Sequence, residues 1–394
     1  MTEALVVAAC RTPIGTAHKG TLVDTEAQVL AEIVVGEALR RSGLRPADID
    51  DIHFGENYYG GGDIARYVAL RAGMTGVPGL AVNRHCASGL SAVSTAASGI
   101  RAGMERAVIA GGVQSSSTAP STRRRVPGTV DEIEDYFSPT HDATPEAPNR
   151  DMSITVGWNT AVEAGLSRQE LDVWALRSHQ RALAAIDAGR FDEEIIPVKA
   201  ARKDGSVVEF AVDEHPRRGT TLEKLASLKP LHPEIEGFSI TAGNSSGIND
   251  AAAALTLASD ALVTERGLTP LARVVSWSSV GVEPRRTGLS LIDAIPLALR
   301  RGGLSVGDVS LFELNEAFAS VPIAACKVLG IDPKIVNTSG SGCSLGHPVA
   351  ASGARMLTTL IYELRRTGGG IGVASMCAGG GQGGAVVVEV PAAD

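Results

Sequence analysis

Cysteine, histidine and asparagine recur in this sequence beside glycines, at points where strand-like runs give way to helix-like ones. The first such point is Asn83-Arg84-His85-Cys86-Ala87-Ser88-Gly89, which follows the apolar run Leu80-Ala81-Val82. Leu90, Val93, Ala97 and Ile100 then recur at helical spacing, so one face of a helix packs inward. Cys86 falls at the start of that helix, where free amides and the positive dipole end favour thiolate over thiol. Such a setting can lower a cysteine pKa from about 8.5 towards neutrality. The chemistry on offer is that of a reactive nucleophile. Free cysteine is also among the most often buried residue types, so a plain core position is the competing reading.

Three further stretches carry reactive types. Glu313-Leu314-Asn315-Glu316-Ala317-Phe318-Ala319 places an amide and a carboxylate where a strand ends and a helix begins, and both could be capping groups. In Ser341-Gly342-Cys343-Ser344-Leu345-Gly346-His347-Pro348, the proline predicts a helix start with His347 at its N-terminus. There the imidazole would stay neutral and hydrogen-bonding, or simply be satisfied by a neighbour. Met376-Cys377-Ala378-Gly379-Gly380-Gly381-Gln382-Gly383-Gly384 follows a strand, and its glycines expose amides and permit close approach to Cys377. A tight turn is the plainer alternative.

The elements that must position these groups follow from composition and pattern. At 394 residues the chain exceeds what one hydrophobic core usually serves, so two or three domains are expected. Hydrophobic residues make up 44% but aromatics only 4%, and 45 glycines favour close-packed helices on a sheet. A net charge of −8 argues against a general nucleic-acid binder. No apolar run is long enough to span a bilayer, and the acidic start Met1-Thr2-Glu3 resembles neither a signal nor a transit peptide. Five scattered cysteines do not look like a disulfide framework, which points to a reducing, cytoplasmic setting. Leu5 to Ala9, Ile49 to Phe54 and Ala107 to Gly112 read as strands, and Gln28 to Arg41 as a helix. Ser115 to Arg150 is polar and rich in proline and glycine, as functional loops or covers are. A capping-box-like Ser167-Arg168-Gln169-Glu170 opens a helix to Ala188, and Ala251 to Leu262 also read as helix.

The last third repeats the first. Glu37-Ala38-Leu39-Arg40-Arg41-Ser42-Gly43-Leu44 is matched by Leu297-Ala298-Leu299-Arg300-Arg301-Gly302-Gly303-Leu304, and one constant offset pairs Asp48 with Asp308 and Glu56 with Glu316. Two similar halves of the pattern strand, helix, strand, helix, strand imply two doubly wound layers joined across the middle, an α/β fold. The Cys86 and His347 turns sit at equivalent points of the repeat. In packed, pseudo-twofold layers such strand ends converge on one cleft, where two cysteines, a histidine, an asparagine and free amides would face each other.

Together these motifs resemble the thiolase family. The likeness rests on Arg11-Thr12-Pro13-Ile14-Gly15, Asn83 to Val93, Ala110-Gly111-Gly112, Thr241 to Asp250, Asn315 to Ala319, Gly346-His347-Pro348 and Cys377 to Gly383, in order and over nearly the whole chain. The resemblance implies two repeated βαβαβ-type halves packed as α-β-α-β-α layers, with an inserted loop domain. The N-terminal half would span residues 1–118, a loop or cover domain binding CoA 119–247, and the C-terminal half 248–394. It further implies coenzyme A-dependent acyl transfer, either condensing two acyl-CoA molecules to a 3-ketoacyl-CoA or cleaving one with CoA. Cys86 matches the nucleophile that becomes acylated, and Cys377 the acid/base acting at the carbon α to the second thioester. His347 and a water positioned by Asn315 would form one oxyanion hole, and the amides of Cys86 and Gly379 the other. Ala242, Ser246, Met152 and Phe318 match positions along the CoA arm, and Arg217 one near its nucleotide end. No metal and no permanently bound cofactor is implied, CoA and acyl-CoA being substrates. A homodimer or homotetramer, and a place in fatty acid metabolism such as β-oxidation, are the matching expectations.

Departures touch the substrate pocket. Where acetoacetyl-CoA-type members have His-Met-Gly, this chain has Asp151-Met152-Ser153, and a Met-Gly-Thr-Gly-Pro stretch becomes Thr287-Gly288-Leu289-Ser290-Leu291. Acyl length and direction of flux therefore stay open. Rival readings remain to be met by the structure. Gly243-Asn244-Ser245-Ser246-Gly247 is a literal Gly-x-Ser-x-Gly, and Ser245, Asp308 and His347 stand in hydrolase order. Cys343 and His347 suggest zinc but lack two more ligands at the usual spacing. Gly340-Ser341-Gly342 to Gly346 misses the dinucleotide fingerprint by one residue. A ketoacyl synthase-like enzyme would use two histidines with its cysteine, and a non-catalytic acyl-CoA binder would lack a reactive residue.

Overall fold

A computed structural model describes residues 2–59, 62–202 and 204–392. In the first half, β1 (Ala4–Arg11), α1 (Ala27–Ser42), β2 (Asp51–Glu56), α2 (Ile64–Arg71), β3 (Gly79–Val82), α3 (Ser88–Arg101) and β4 (Ala107–Ser115) follow one another. After a long excursion that contains α4 (Arg168–Asp187) come β5 (Asn249–Ser259) and β6 (Ala272–Gly281). The second half continues through α5 (Ser290–Arg301), β7 (Val309–Leu314), α6 (Ser320–Leu329), α7 (Ser352–Arg366), β8 (Gly370–Ala378) and β9 (Gln382–Val390).

The strands lie in the order β7-β8-β9-β6-β1-β5-β4-β2-β3, with Gly15–Thr16 paired to β5. The two halves meet at a short antiparallel contact, Leu5 with Arg273 and Val6 with Ala272. Each half is mixed: β2 runs parallel to β3 and β4, whereas β5 is antiparallel to β1 and β4. Three apolar clusters account for the layering. One packs α1 and α2 on the first half-sheet and another packs α5 and α6 on the second. The third holds α3 and α7 between the two, through Leu90, Val93, Ile100, Met356, Leu357 and Leu360. The order is thus helix, sheet, helix, sheet, helix, as the resemblance implies. α3 and α7 approach so closely that a Cβ on Gly89 would come within 2.7 Å of the Ala350 carbonyl oxygen.

Two local expectations are corrected. Ala251 to Leu262 is not a helix: residues up to Ser259 form the strand β5, and only from Asp260 does a short helix to Arg266 follow. Every residue of β5 is buried, lying between two strands and beneath helices on both faces, so it has no polar alternation to reveal its period. Alanine supplies the small volume that this crowding needs, and tertiary burial overrides its helix propensity. The helix after His347 begins at Ser352, not at Pro348; a turn closed by the Ala351 and Ser352 amides on the Pro348 carbonyl separates them.

The excursion is tied to β1 by a buried charge cluster. Arg11 of β1, fully buried, sends its Nε to Glu194 at 2.6 Å and its two terminal nitrogens to Asp213 at 2.8 and 2.9 Å. Its guanidinium also lies over the Phe191 ring, 4.9 Å from the centroid. α4 itself starts at the predicted Ser167 cap, whose hydroxyl and the Glu170 carboxylate form the capping box.

Candidate active site

One cavity of about 580 Å³ is lined by Cys86, His347, Cys377 and Gly379 together. The repeat brings them there: Cys86 stands two residues ahead of α3, His347 five ahead of α7, and Cys377 next to last in β8. Ser246, Met152 and Phe318 line the same cavity. Asn315 lies behind His347, fully buried, and reaches the imidazole through its amide nitrogen, 3.3 Å from Nε2. Arg217 and Ala242 are exposed and do not line the cavity. A depression of about 660 Å³ between Trp158 and Phe238 contains neither cysteine nor histidine.

The amides of Gly379 and of Cys86 itself point at the Cys86 sulfur. Even so, burial dominates and pushes the thiol up to about 11. The expectation of a lowered pKa is therefore corrected: two partial positive charges do not offset desolvation without a cation nearby. Burial raises Cys377 further, and the proximity of the Cys86 charge adds to it. The two sulfurs are thus electrostatic neighbours, and both rest as thiols.

His347 is held neutral, as predicted, but for another reason. Burial lowers its pKa to about 3, and the positive charge of Arg355, itself held by Glu313 at 2.9 Å, adds to the shift. No helix terminus is involved. The hydrogen-bond network assigns the tautomer. The single proton of Ser352 Oγ goes to the Pro348 carbonyl at 3.0 Å, so at 2.6 Å it accepts from Nδ1–H of His347. Nε2 is then unprotonated and accepts from Asn315 Nδ2 at 3.3 Å.

Loop geometry explains how such groups stay in place. The His347 amide donates to Asn249 Oδ1 at 3.0 Å, and Asn249 Nδ2 donates to the Gly15 carbonyl at 2.9 Å. Gly346 has φ of 104° and lies flat against Asn249, leaving no room for a Cβ. Buried Glu316 accepts from Trp174 Nε1 at 2.9 Å, Ser178 Oγ at 2.6 Å, Asn337 Nδ2 at 2.8 Å and the Cys343 amide at 3.1 Å. It thereby fastens the Asn315 loop and the His347 loop to α4. Gln382 Nε2 donates to the Gly379 carbonyl at 3.0 Å and fixes the peptide whose neighbouring amide faces Cys86. Among the described residues only His18, Tyr58, His85 and Asn337 have left-handed backbone without being glycine, and Tyr58 and His85 both line the cavity.

Sequence reasoning missed Ser352, Gln382, Asn57, Tyr58, Phe137 and Arg150. Gln382 and Asn249 sat inside quoted motifs without a role. The cavity residues Phe137 and Arg150 belong to the aperiodic excursion, where no spacing marks a site. The serine hydrolase reading fails on geometry. Ser245 Oγ donates to the Thr241 carbonyl at 2.6 Å, and Asp308 caps Ser305 at 2.7 Å instead of orienting His347. Cys343 faces the carbonyls of Asn244 and Glu316, so no Cys343–His347 metal pair forms.

Comparisons with known proteins agree with this geometry. The thiolase N-terminal domain matches residues 4–261 and the thiolase C-terminal domain residues 268–390. The chain is 40% identical to an acetyl-CoA acetyltransferase of Syntrophomonas wolfei, over 98% of this chain and 99% of that one. It is 41% identical to a beta-ketoadipyl-CoA thiolase of Pseudomonas aeruginosa, over 98% of this chain and 99% of that one. The crystal structure of the Bacillus anthracis acetyl-CoA acetyltransferase superposes with a TM-score of 0.90 at 38% identity, covering 99% of both chains. In sequence, in fold and in the clustering of its two cysteines with a histidine, the chain belongs to the thiolase family.

Proposed function

We propose that Cys86, Cys377, His347, Asn315 and Gly379 carry out the thiolase reaction of this acyltransferase, the reversible exchange between two acyl-CoA molecules and 3-ketoacyl-CoA plus CoA. The observation that carries the assignment is the shared cavity of the two sulfurs and the unprotonated Nε2 of a neutral imidazole.

In cleavage, Nε2 of His347 takes the proton of the Cys86 thiol as sulfur attacks the 3-keto carbon. The negative charge that develops on the keto oxygen falls to the amides of Cys86 and Gly379, which already point at the sulfur. The C2–C3 bond then breaks, leaving the shortened acyl group on Cys86 and the enolate of acetyl-CoA, which keeps C1 and C2. Cys377 gives its proton to that enolate carbon. The enolate oxygen is met by His347, now a donor at Nε2, and by a water. Asn315 Oδ1 is buried with no protein donor, so its lone pairs suit such a water. A CoA thiol then takes the acyl group from Cys86: its proton restores Cys377, and His347 returns its proton to the departing Cys86 thiolate. Condensation is the reverse. There the high pKa of Cys377 makes its thiolate a strong base for a poorly acidic α-proton.

Ser246, Met152 and Phe318 would hold the pantetheine arm, with Ala242 and Arg217 outside the cavity towards the nucleotide. In this reading residues 119–247 are the cover that binds CoA, set between core halves 1–118 and 248–394. A cytoplasmic homodimer or homotetramer working in fatty acid metabolism such as β-oxidation is part of the same proposal. No helix among the described residues is long and apolar enough to cross a membrane. The relatives are named for acetyl-CoA and for beta-ketoadipyl-CoA, so acyl length is not fixed by kinship.

Two variants test the roles. Cys86→Ala should abolish thiolysis of 3-ketoacyl-CoA. Cys377→Ala should stall the enzyme, with acyl-CoA leaving a stable acyl adduct on Cys86 detectable by intact-protein mass. Full turnover by Cys86→Ala, or acylation at another residue, would overturn the assignment.

A further inference from the structure

A row of three side chains leads away from the nucleophile along one wall of the catalytic cavity. Tyr58 is close enough to Cys86 for the cysteine's charge to raise the phenol pKa, after burial. The Phe137 ring lies 6.1 Å from the Tyr58 ring, centroid to centroid. The Arg150 guanidinium lies 5.2 Å from the Phe137 centroid, and all three side chains line the cavity. Tyr58 is held in a left-handed backbone conformation, φ 72°, which is strained for a tyrosine and aims this wall.

Arg150 has no carboxylate within 4.0 Å among the described residues, although acidic side chains are near. Asp135, which also lines the cavity, is paired with Arg123 at 3.3 Å, and Asp151 with His232 at 2.8 Å. Arg150, a solvent-exposed residue, thus lines the cavity with no protein counter-charge on its guanidinium. Asn57, next to Tyr58 in the chain, is buried with its amide nitrogen unpartnered and also lines the cavity. A cleft for a plain alkyl chain gains nothing from such groups, because polar atoms that lose water to a methylene chain go uncompensated. An anionic chain end would satisfy the arginine with charge-assisted, bidentate hydrogen bonds while its methylenes lie on Phe137 and Tyr58.

We infer that Arg150 forms a subsite for the far end of the acyl chain, and that this thiolase takes acyl-CoA esters whose chain ends in a carboxylate. The inference rests on the thiolase assignment above and adds the substrate class to it. Arg150 acts as a specificity residue, remote from the bonds that change.

The test compares matched 3-oxoacyl-CoA pairs of equal carbon number, one ending in methyl and one in carboxylate, with wild type, Arg150→Gln, Arg150→Lys and Arg150→Glu. Wild type should favour the carboxylate partner by about tenfold or more in kcat/KM, mainly through KM. Arg150→Gln should bring the ratio near one, Arg150→Lys should restore part of it, and Arg150→Glu should invert it. Equal use of both partners by wild type, or a uniform loss on both in Arg150→Gln, would overturn the subsite. A rise in KM for free CoA in Arg150→Gln would place the arginine on the CoA arm and overturn it equally. Cleavage of neither partner by wild type would instead bring down the thiolase assignment, and the subsite with it.

Discussion

Each reacting residue is tuned by a short list of contacts. With its thiol pushed up to about 11, Cys86 should react with iodoacetamide ever faster as pH rises from 7 towards that value. The rate at Cys86, followed by peptide mass, should grow about tenfold per pH unit, since only thiolate attacks. A plateau near neutrality would show a resting thiolate–imidazolium pair instead. Ser352 holds the His347 tautomer through a single 2.6 Å contact. Ser352→Ala should lower kcat by about tenfold or more with little change in KM, because ring orientation matters in the transition state, not in binding. A shift confined to KM would place Ser352 outside the mechanism.

At the scale of elements, the site depends on loops stitched to helices. Glu316 satisfies four donors from α4, the Asn337 turn and the Cys343 loop at once. Removing it by Glu316→Ala leaves those buried donors unpartnered, which should destabilise the fold by about 3 kcal/mol or more. Urea unfolding measures this, and an unchanged midpoint would mean that the network carries no stability. α3 and α7, the two helices of the middle layer, cross where Gly89 and Gly353 leave no room for a side chain. That crossing sets the two turns carrying Cys86 and His347 over one cavity. The clash also explains why small residues crowd both helices more than any propensity scale would ask.

Across the whole molecule, Arg11 joins β1 to the excursion through Glu194 and Asp213, all three buried. Arg11→Ala would strand two carboxylates in the interior and should cost about 3–5 kcal/mol, or abolish soluble expression. Acid should also weaken the fold. His347 and His179 are buried neutral, with pKa values lowered from 6.5 to about 3 and about 4. Below 6.5 the unfolded chain takes up protons that the folded chain refuses, so stability falls as pH drops from 6.5 towards 4. Melting temperatures across that window should show the decline, and His179→Gln should flatten it. An equally steep decline in that variant would assign the slope to other groups.

Much of this was legible in the order of residues alone. The constant offset between the halves, the helical face from Leu90 to Ile100, the Ser167 capping box and the motif residues around Cys86, His347 and Cys377 all reflect local or repeating constraints. These leave their period in the chain, and the layered fold follows from them; the reaction class came from the likeness of the motifs to the thiolase family. Other features have no local signature. The strand nature of Ala251 to Ser259 depends on neighbours on both faces, which make an alanine run pack as β5. The high pKa of Cys86 depends on how much solvent three distant segments exclude, not on the helix that follows it. Ser352, Gln382, Phe137 and Arg150 reach the site from turns and an aperiodic excursion, where spacing along the chain says nothing of distance in space. Sequence thus determined which groups could react. Burial and convergence, which exist only once the layers have closed, decided their charge states and the shape of the cavity they line.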